Sequence, residues 1–245
     1  MLVLINLDSA VERRQAMARQ LAGIGHEYER VGVDTRFLRP VDIDLRVEQC
    51  FPGLRFDRNA LSNAEIGCWL SHLSAWRLML ERESQPACTV IEDDVTLLPG
   101  FRGAIEALAV RQEFDLVYLG TSSRNVSQRR KATIAGYRVH EPVGVILNTW
   151  GYSITRAYAE RFHREVRRTI GLPIDHYLGG RGPSARPHVG VLQPAVLRED
   201  PVLGMASQIG PYTRRLDRSR WFERARRRLM ASPISDLYYS IYRYL

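Results

Sequence analysis

Short apolar runs alternate with longer stretches in which apolar residues recur every three or four positions. Leu2 to Leu7 predicts a strand, because nearly every position is apolar. Ser9 and Glu12 stand at the spacing of a capping box, and Met17, Leu21 and Ile24 make a stripe, predicting a helix that ends near Gly25. Tyr28 to Val33 predicts a second strand, ending at Asp34. Residues 35–60 carry Pro40, Pro52 and Gly53 as breakers and predict irregular structure. Ser62 and Glu65 form a second capping-box pattern. Beyond it Ile66, Trp69, Leu70, Leu73, Trp76 and Leu80 keep helical spacing, predicting a long helix over 63–83.

The same reading continues down the chain. Ala87 to Ile91 predicts a strand, Pro99 to Val110 a helix, and Phe114 to Leu119 a strand closing at Gly120. Residues 121–135 are polar and basic and predict a mobile loop able to close over a phosphate-bearing ligand. Two or three strands are expected within 137–155, a helix over 156–168 and a short strand at Val189–Leu192. Strand–helix–strand alternation argues for an α/β fold with a mostly parallel central sheet and flanking helices. No internal repeat and no linker is visible. The division this suggests is one domain over 1–210 and a C-terminal extension over 211–245.

With 245 residues, the chain buries roughly 70–75% of its unfolded surface, enough for a core without staples. Its three cysteines show no CxxC or zinc spacing, and an odd, low count fits reduced thiols and a cytoplasmic setting. The opening MLVLINLDS has too short an apolar stretch for a signal peptide and reads as a core strand. No run approaches the about 20 apolar residues that span a bilayer, so a membrane-crossing protein is not expected.

The chemistry concentrates where the 87–91 strand ends, at Glu92-Asp93-Asp94. Side chains alternate along a strand, so Glu92 and Asp94 share one face and Asp93 points to the other. Crowded carboxylates repel one another. A hard cation such as Mn²⁺ or Mg²⁺ relieves that repulsion and commonly bridges carboxylates to phosphates. The plainer reading is a strand end whose acids cap the next helix. In parallel α/β sheets ligands sit beyond the carboxyl ends of strands, and Asp8, Asp34, the 92–94 acids and Gly120 all fall at such ends.

Four blocks in order, INLDSAVERR at 5–14, LSNAEIGCWLSHLSAW at 61–76, VIEDDV at 90–95 and DLVYLG at 115–120, resemble glycosyltransferase family 25. The resemblance covers roughly residues 2–210. It implies a GT-A type, Rossmann-like fold, a UDP-sugar donor, a divalent metal and inverting transfer of a hexose, galactose above all, to a glycan acceptor hydroxyl in surface polysaccharide synthesis. It places Asn6 and Asp8 near the nucleobase and ribose, Ser71 and His72 near the donor, and Asp93 and Thr149 in the donor pocket; Asp34, from its place at a strand's carboxyl end, is a further donor-binding candidate. It makes Asp94 the first metal contact, with Glu92 beside it. This chain departs from the pattern at Ala64, where a glycine is usual, and at Asn148-Thr149, where Gly-Thr is usual.

Inverting transfer needs a base for the acceptor hydroxyl. Asp175 matches a late family motif and is the candidate; its structural reading is a cap for the helix starting at His176. His176 reads as a further metal ligand or as a structural histidine. His72 lies beside the apolar stripe and reads equally as a packed, hydrogen-bonded residue. Trp69 and Trp76 are expected in the core; Arg13 and Arg14 read as phosphate contacts or, more simply, as solvated residues on an exposed helical turn.

The net charge of +8 is uneven, because eight Arg against Asp217 and Glu223 between 214 and 228 hold six of those charges. Lys131 is the only lysine, which a GC-rich coding bias also explains. With Trp221, Phe222 and four late tyrosines, the 211–245 segment reads as a basic amphipathic helix on an anionic inner-leaflet surface, suited to a lipid-linked or oligosaccharide acceptor. It reads equally as a solvated helix packed on the domain or on a dimer partner. Three other functions compete: a catalytically inactive nucleotide-sugar-binding protein, a metal-dependent phosphohydrolase and a nucleic-acid binder. The last is not expected, because no RRM, KH or helix-turn-helix signature accompanies the charge.

Overall fold

The computed structural model describes residues 1–121, 126–166, 169–182, 185–200 and 202. Its elements run β1 (Leu2–Ile5), α1 (Val11–Ile24), β2 (Glu29–Val31), α2 (Pro40–Cys50), β3 (Arg55–Phe56), α3 (Asn63–Leu80), β4 (Ala87–Glu92), β5 (Val95–Leu97), α4 (Phe101–Val110), β6 (Leu116–Tyr118), β7 (Val126–Ile134), β8 (Tyr137–Pro142), β9 (Gly151–Thr155), α5 (Arg156–Glu165), β10 (Thr169–Ile170), α6 (Ile174–His176), β11 (Val189–Gln193) and β12 (Leu197–Glu199). A wide helical turn at Tyr177–Arg181 follows α6.

The central sheet has eight strands in the order β2-β1-β4-β9-β6-β11-β8-β7. β1 pairs in parallel with β2 and β4, and β6 with β11. β9 runs antiparallel between β4 and β6, and β8 runs antiparallel to β11 and β7. Six strands therefore share one direction, and only β9 and β8 oppose it. The expectation of a mostly parallel sheet holds for strand direction; the ladders themselves are mixed.

Two apolar layers cover the sheet. On one face Met17 and Leu21 of α1 and Phe101, Ile105 and Leu108 of α4 pack on Leu2, Leu4, Ile91 and Val117. On the other, α2, α3 and α5 pack on Val3, Val90, Leu116, Tyr118, Tyr152 and Ile154. The period-2 alternation Leu2/Val3/Leu4 is thus sorted onto opposite faces. Trp69 and Trp76 are wholly buried, as expected, with Trp69 Nε1 donating to Leu172 O at 2.8 Å.

Several boundaries differ from the sequence reading. The Ser62/Glu65 capping box forms in full, but α3 stops at Leu80. The Ser9/Glu12 box does not form: α1 begins after Ala10 without a side-chain cap, and Ser9 Oγ instead accepts from Arg36. Residues 35–60 contain α2, because Pro40 sits at the first helical position, where its missing N–H costs nothing. The expected loop at 121–135 is mainly β7, a nine-residue edge strand. Lys131 and Arg129 lie near Glu141 on its neighbour. α5 ends at Glu165 rather than near 168. The 211–245 extension lies outside the described residues. Among the described residues, no helix is long and apolar enough to cross a membrane.

Candidate active site

The site begins with strand register. Ile5 of β1 pairs with Glu92 of β4, so Asn6 and the acidic run emerge side by side at the carboxyl edge. β9 runs the opposite way, and its first residue Gly151 pairs with Ile91. The segment entering β9 therefore crosses the same edge: Glu92 N–H bonds Trp150 O at 3.0 Å, and Thr149 Oγ1 donates to Glu92 Oε1. Gly151 lets the strands pack closely here: a Cβ would meet Ile91 at 3.2 Å and push the Leu197 side chain aside.

α3 lies over this corner. Cys68 and His72, one helical turn apart, face Glu92. His72 Nε2 is 3.3 Å from Glu92 Oε1 but makes no aligned hydrogen bond. Its Nδ1 is 2.8 Å from the Tyr152 hydroxyl, which also accepts from Trp76 Nε1 at 2.9 Å. His72 is 0% exposed, inside the buried face of α3 rather than beside it.

The next two acids behave differently. Asp93 turns toward α1, accepting from Asn6 Nδ2 at 2.7 Å and Arg13 Nη1 at 2.9 Å. Arg13 is therefore not on an exposed turn; it is buried as Asp93's counter-ion. Strand alternation stops at the turn, so Asp94 Oδ2 also comes within 3.5 Å of Arg13, while its Oδ1 is buried without a hydrogen-bond partner.

Environment separates these carboxylates. Burial and the adjacent Glu92 charge push Asp94 up to about 7, against the pull of Arg13. Burial also raises Glu92, but His72, Thr149 and Arg13 outweigh it and hold it below the ordinary value. Burial lifts Asp93 despite Asn6 and Arg13. Asp175, on α6, is pushed up to about 6 by burial and by the charges of Glu92 and Glu65, although its Oδ1 accepts the His176 N–H at 2.7 Å. It does not cap α6, whose N-cap is Pro173. Burial and the nearby acids raise the Cys68 thiol well above its usual value.

The expected donor-binding residues divide into two groups. Asn6, Ser71, His72, Asp93 and Thr149 are buried, and their bonds are internal; Ser71 Oγ, for instance, holds Val33 N–H at 2.9 Å and donates to Gly67 O at 2.8 Å. Asp8 and Asp34 stay near the surface. Asp8, 86% exposed, pairs with Arg30 at 2.7 Å, and Asp34 is held below its usual value by the hydrogen-bonded Arg36 guanidinium. Among the described residues, Asp94, Glu92 and His176 do not together bring three donor atoms within 4.8 Å of one another. Among the described residues, the donor atoms that cluster within 4.8 Å are those of Cys68, His72 and Glu92. His176 is buried on α6.

Sequence reasoning missed Cys68 and Tyr152, and it missed that Arg13 is buried against Asp93. The i,i+4 pair Cys68/His72 was the only available signal for the first. The Tyr118 hydroxyl and Asn148 Oδ1 are also buried at this edge without partners. A hollow of about 880 Å³ lined by Met1, Leu21, His26 and Arg82 lies at the opposite, amino end of β1.

An oxygen-ligated divalent cation fits Asp94 and Glu92, because a buried carboxylate oxygen without a donor beside a second carboxylate is a cation's complement. Residues 1–178 match the model of glycosyltransferase family 25 (LPS biosynthesis protein), and the chain belongs to that family. A Glycosyltransferase 25 family member of Anopheles gambiae is 31% identical over 185 residues, 71% of this chain and 30% of its own. Human Procollagen galactosyltransferase 2 is 30% identical over 71% of this chain and 29% of its own. Human Inactive glycosyltransferase 25 family member 3 is 29% identical over 58% of this chain and 24% of its own. The chain thus spans about a third of the length of the curated relatives it matches.

Proposed function

We propose that this chain is a metal-dependent, inverting glycosyltransferase of GT-A type. It transfers a hexose, most simply galactose, from a UDP-sugar to a glycan acceptor of surface polysaccharide. The observation that carries this reading is Asp94: a buried carboxylate with an unpartnered oxygen beside Glu92, at the carboxyl edge of the sheet, in a chain of this family.

Asp94 and Glu92 would hold Mn²⁺ or Mg²⁺, which would supply positive charge to the diphosphate leaving group when bound. The Thr149 hydroxyl holds Glu92, and Asn6 and Arg13 anchor Asp93, so the acidic turn is held in one geometry before substrate arrives. Asp8 and Asp34 are the accessible groups for the ribose hydroxyls or the uracil ring N–H. Asp175, raised to about 6, is ionised at neutral pH yet basic enough to take the acceptor hydroxyl proton. The attacking oxygen bonds to the anomeric carbon as the bond to the diphosphate breaks, and the proton leaves on Asp175.

The test is UDP release from a panel of UDP-sugars with and without Mn²⁺, in wild type and Asp94→Asn. Metal-dependent release from one sugar, abolished in the folded variant, supports the proposal; equal activity in Asp94→Asn removes it. A binding protein without catalysis is the second reading, because relatives of comparable identity carry the name inactive. It is distinguished by UDP-sugar binding in calorimetry with no turnover toward any acceptor.

A further inference from the structure

We propose that Cys68, His72 and Glu92 form a second metal site, one for a borderline cation of the Zn²⁺ or Co²⁺ kind. It differs in chemistry from the all-oxygen pair of Asp94 and Glu92. Three observations carry it. The three donor atoms lie within 4.8 Å of one another. His72 Nε2 is wholly buried, aimed at Glu92 and without a hydrogen-bond partner. Its 3.3 Å separation from Oε1 is long for a charged hydrogen bond, yet close to the about 3.4 Å between nitrogen and oxygen ligands of one tetrahedral zinc.

The donor set selects the metal. A thiolate and an imidazole favour zinc or cobalt, whereas Mn²⁺ and Mg²⁺ favour carboxylate and water. Three protein ligands leave a fourth position for water or a substrate oxygen. The support is already in place. Cys68 and His72 sit one turn apart on a helix fixed at its start by a full capping box, and Glu92 closes the triangle from a central strand. A metal on Nε2 requires the ring proton on Nδ1, and the Tyr152 oxygen 2.8 Å away accepts it, as it does the Trp76 N–H. On binding, the Cys68 S–H bond breaks and its proton leaves to water as the sulfur–metal bond forms.

The site shares Glu92 with the cation of the proposed reaction. Resting on that functional reading, zinc occupancy withdraws Glu92 from the hard cation and inhibits transfer. Cys68 serves no other step, so its substitution leaves basal turnover unchanged.

The binding test needs no turnover. The chelator-treated 245-residue protein is titrated with Co²⁺, and the thiolate-to-metal charge-transfer absorption is followed; Zn²⁺ affinity is read by competition with a chromophoric chelator. One equivalent should give the charge-transfer band. Cys68→Ser should abolish the band and lower zinc affinity roughly a hundredfold, with the melting temperature unchanged. Asp94→Asn should keep both. No band in wild type, or zinc affinity lost in Asp94→Asn but not in Cys68→Ser, overturns the site. Where UDP release is measurable, zinc should inhibit wild type and not Cys68→Ser. Absent release with an intact cobalt spectrum would sink the functional reading alone.

Discussion

Arg13 shows how much a single buried charge decides. Its guanidinium reaches Asp93 at 2.9 Å and Asp94 at 3.5 Å, and both carboxylates are pushed up by burial. Removing it leaves two neighbouring buried acids without their cation. Breaking such a pair costs about 3–5 kcal/mol, so Arg13→Ala should lower stability by about that much in urea unfolding at pH 7. Asp175 offers a sharper test, because catalysis and stability should move oppositely. Its folded value, near 6, lies above the unfolded one, so its ionisation works against folding as pH rises from about 4 to about 6. Asp175→Asn should therefore raise the melting temperature at pH 8 and leave it unchanged near pH 3. The same substitution should abolish UDP release, whose wild-type rate should fall as pH drops below about 6. Loss of both activity and stability at pH 8 would point to a structural role instead. The acids were legible in the sequence because three carboxylates after an apolar run have few meanings. Arg13 and Tyr152 were not, since a residue's burial partner across 80 positions leaves no local mark.

At the scale of the element, α3 carries the corner on which the acids rest, and it was the most legible part of the chain. Its box and its apolar spacing both point to one helix, and the box forms as read. Ser62→Ala should cost about 1 kcal/mol. What spacing could not show is how closely α3 approaches the chain after β2. A Cβ at Gly67 would stand 2.7 Å from Val33 O and closer still to Thr35 Oγ1. The neighbouring atoms are a carbonyl and a hydroxyl already bonded to Asn63 O, so neither can easily withdraw. Gly67→Ala should cost about 1–3 kcal/mol by overpacking, despite alanine's better helix propensity. A stabilised variant in thermal unfolding would refute that close approach. α2 and β7 were illegible for a different reason. Proline both breaks helices and begins them, and Pro40 begins one; among its described side chains β7 buries only Ile134 fully, with Val126 and Ala132 half-buried among basic and polar residues, too few apolar positions to show the alternation.

For the whole molecule, charge is distributed in two regimes. Arginines of the described residues are largely matched: Arg36 with Asp34, Arg55 with Glu48, Arg58 with Asp44, Arg82 with Glu29 and Arg161 with Asp115. The sequence between 214 and 228 offers eight arginines only two acids. Matched pairs cancel within a Debye length, so the long-range attraction of this protein for an anionic surface belongs to that short stretch. Each basic residue near an anionic bilayer contributes about 1 kcal/mol. Changing Arg224, Arg226, Arg227 and Arg228 together to Gln removes about 4 kcal/mol, roughly a thousandfold in partitioning. We expect the 245-residue protein to sediment with phosphatidylserine vesicles at low salt and to be released as salt rises. The four-Gln variant should stay in solution under both conditions, with turnover on a soluble acceptor unchanged. Equal partitioning of the two proteins would end the case for a membrane-facing segment. Salt-sensitive retention on DNA by the wild type alone, without vesicle binding, would assign the same charges to a nucleic acid.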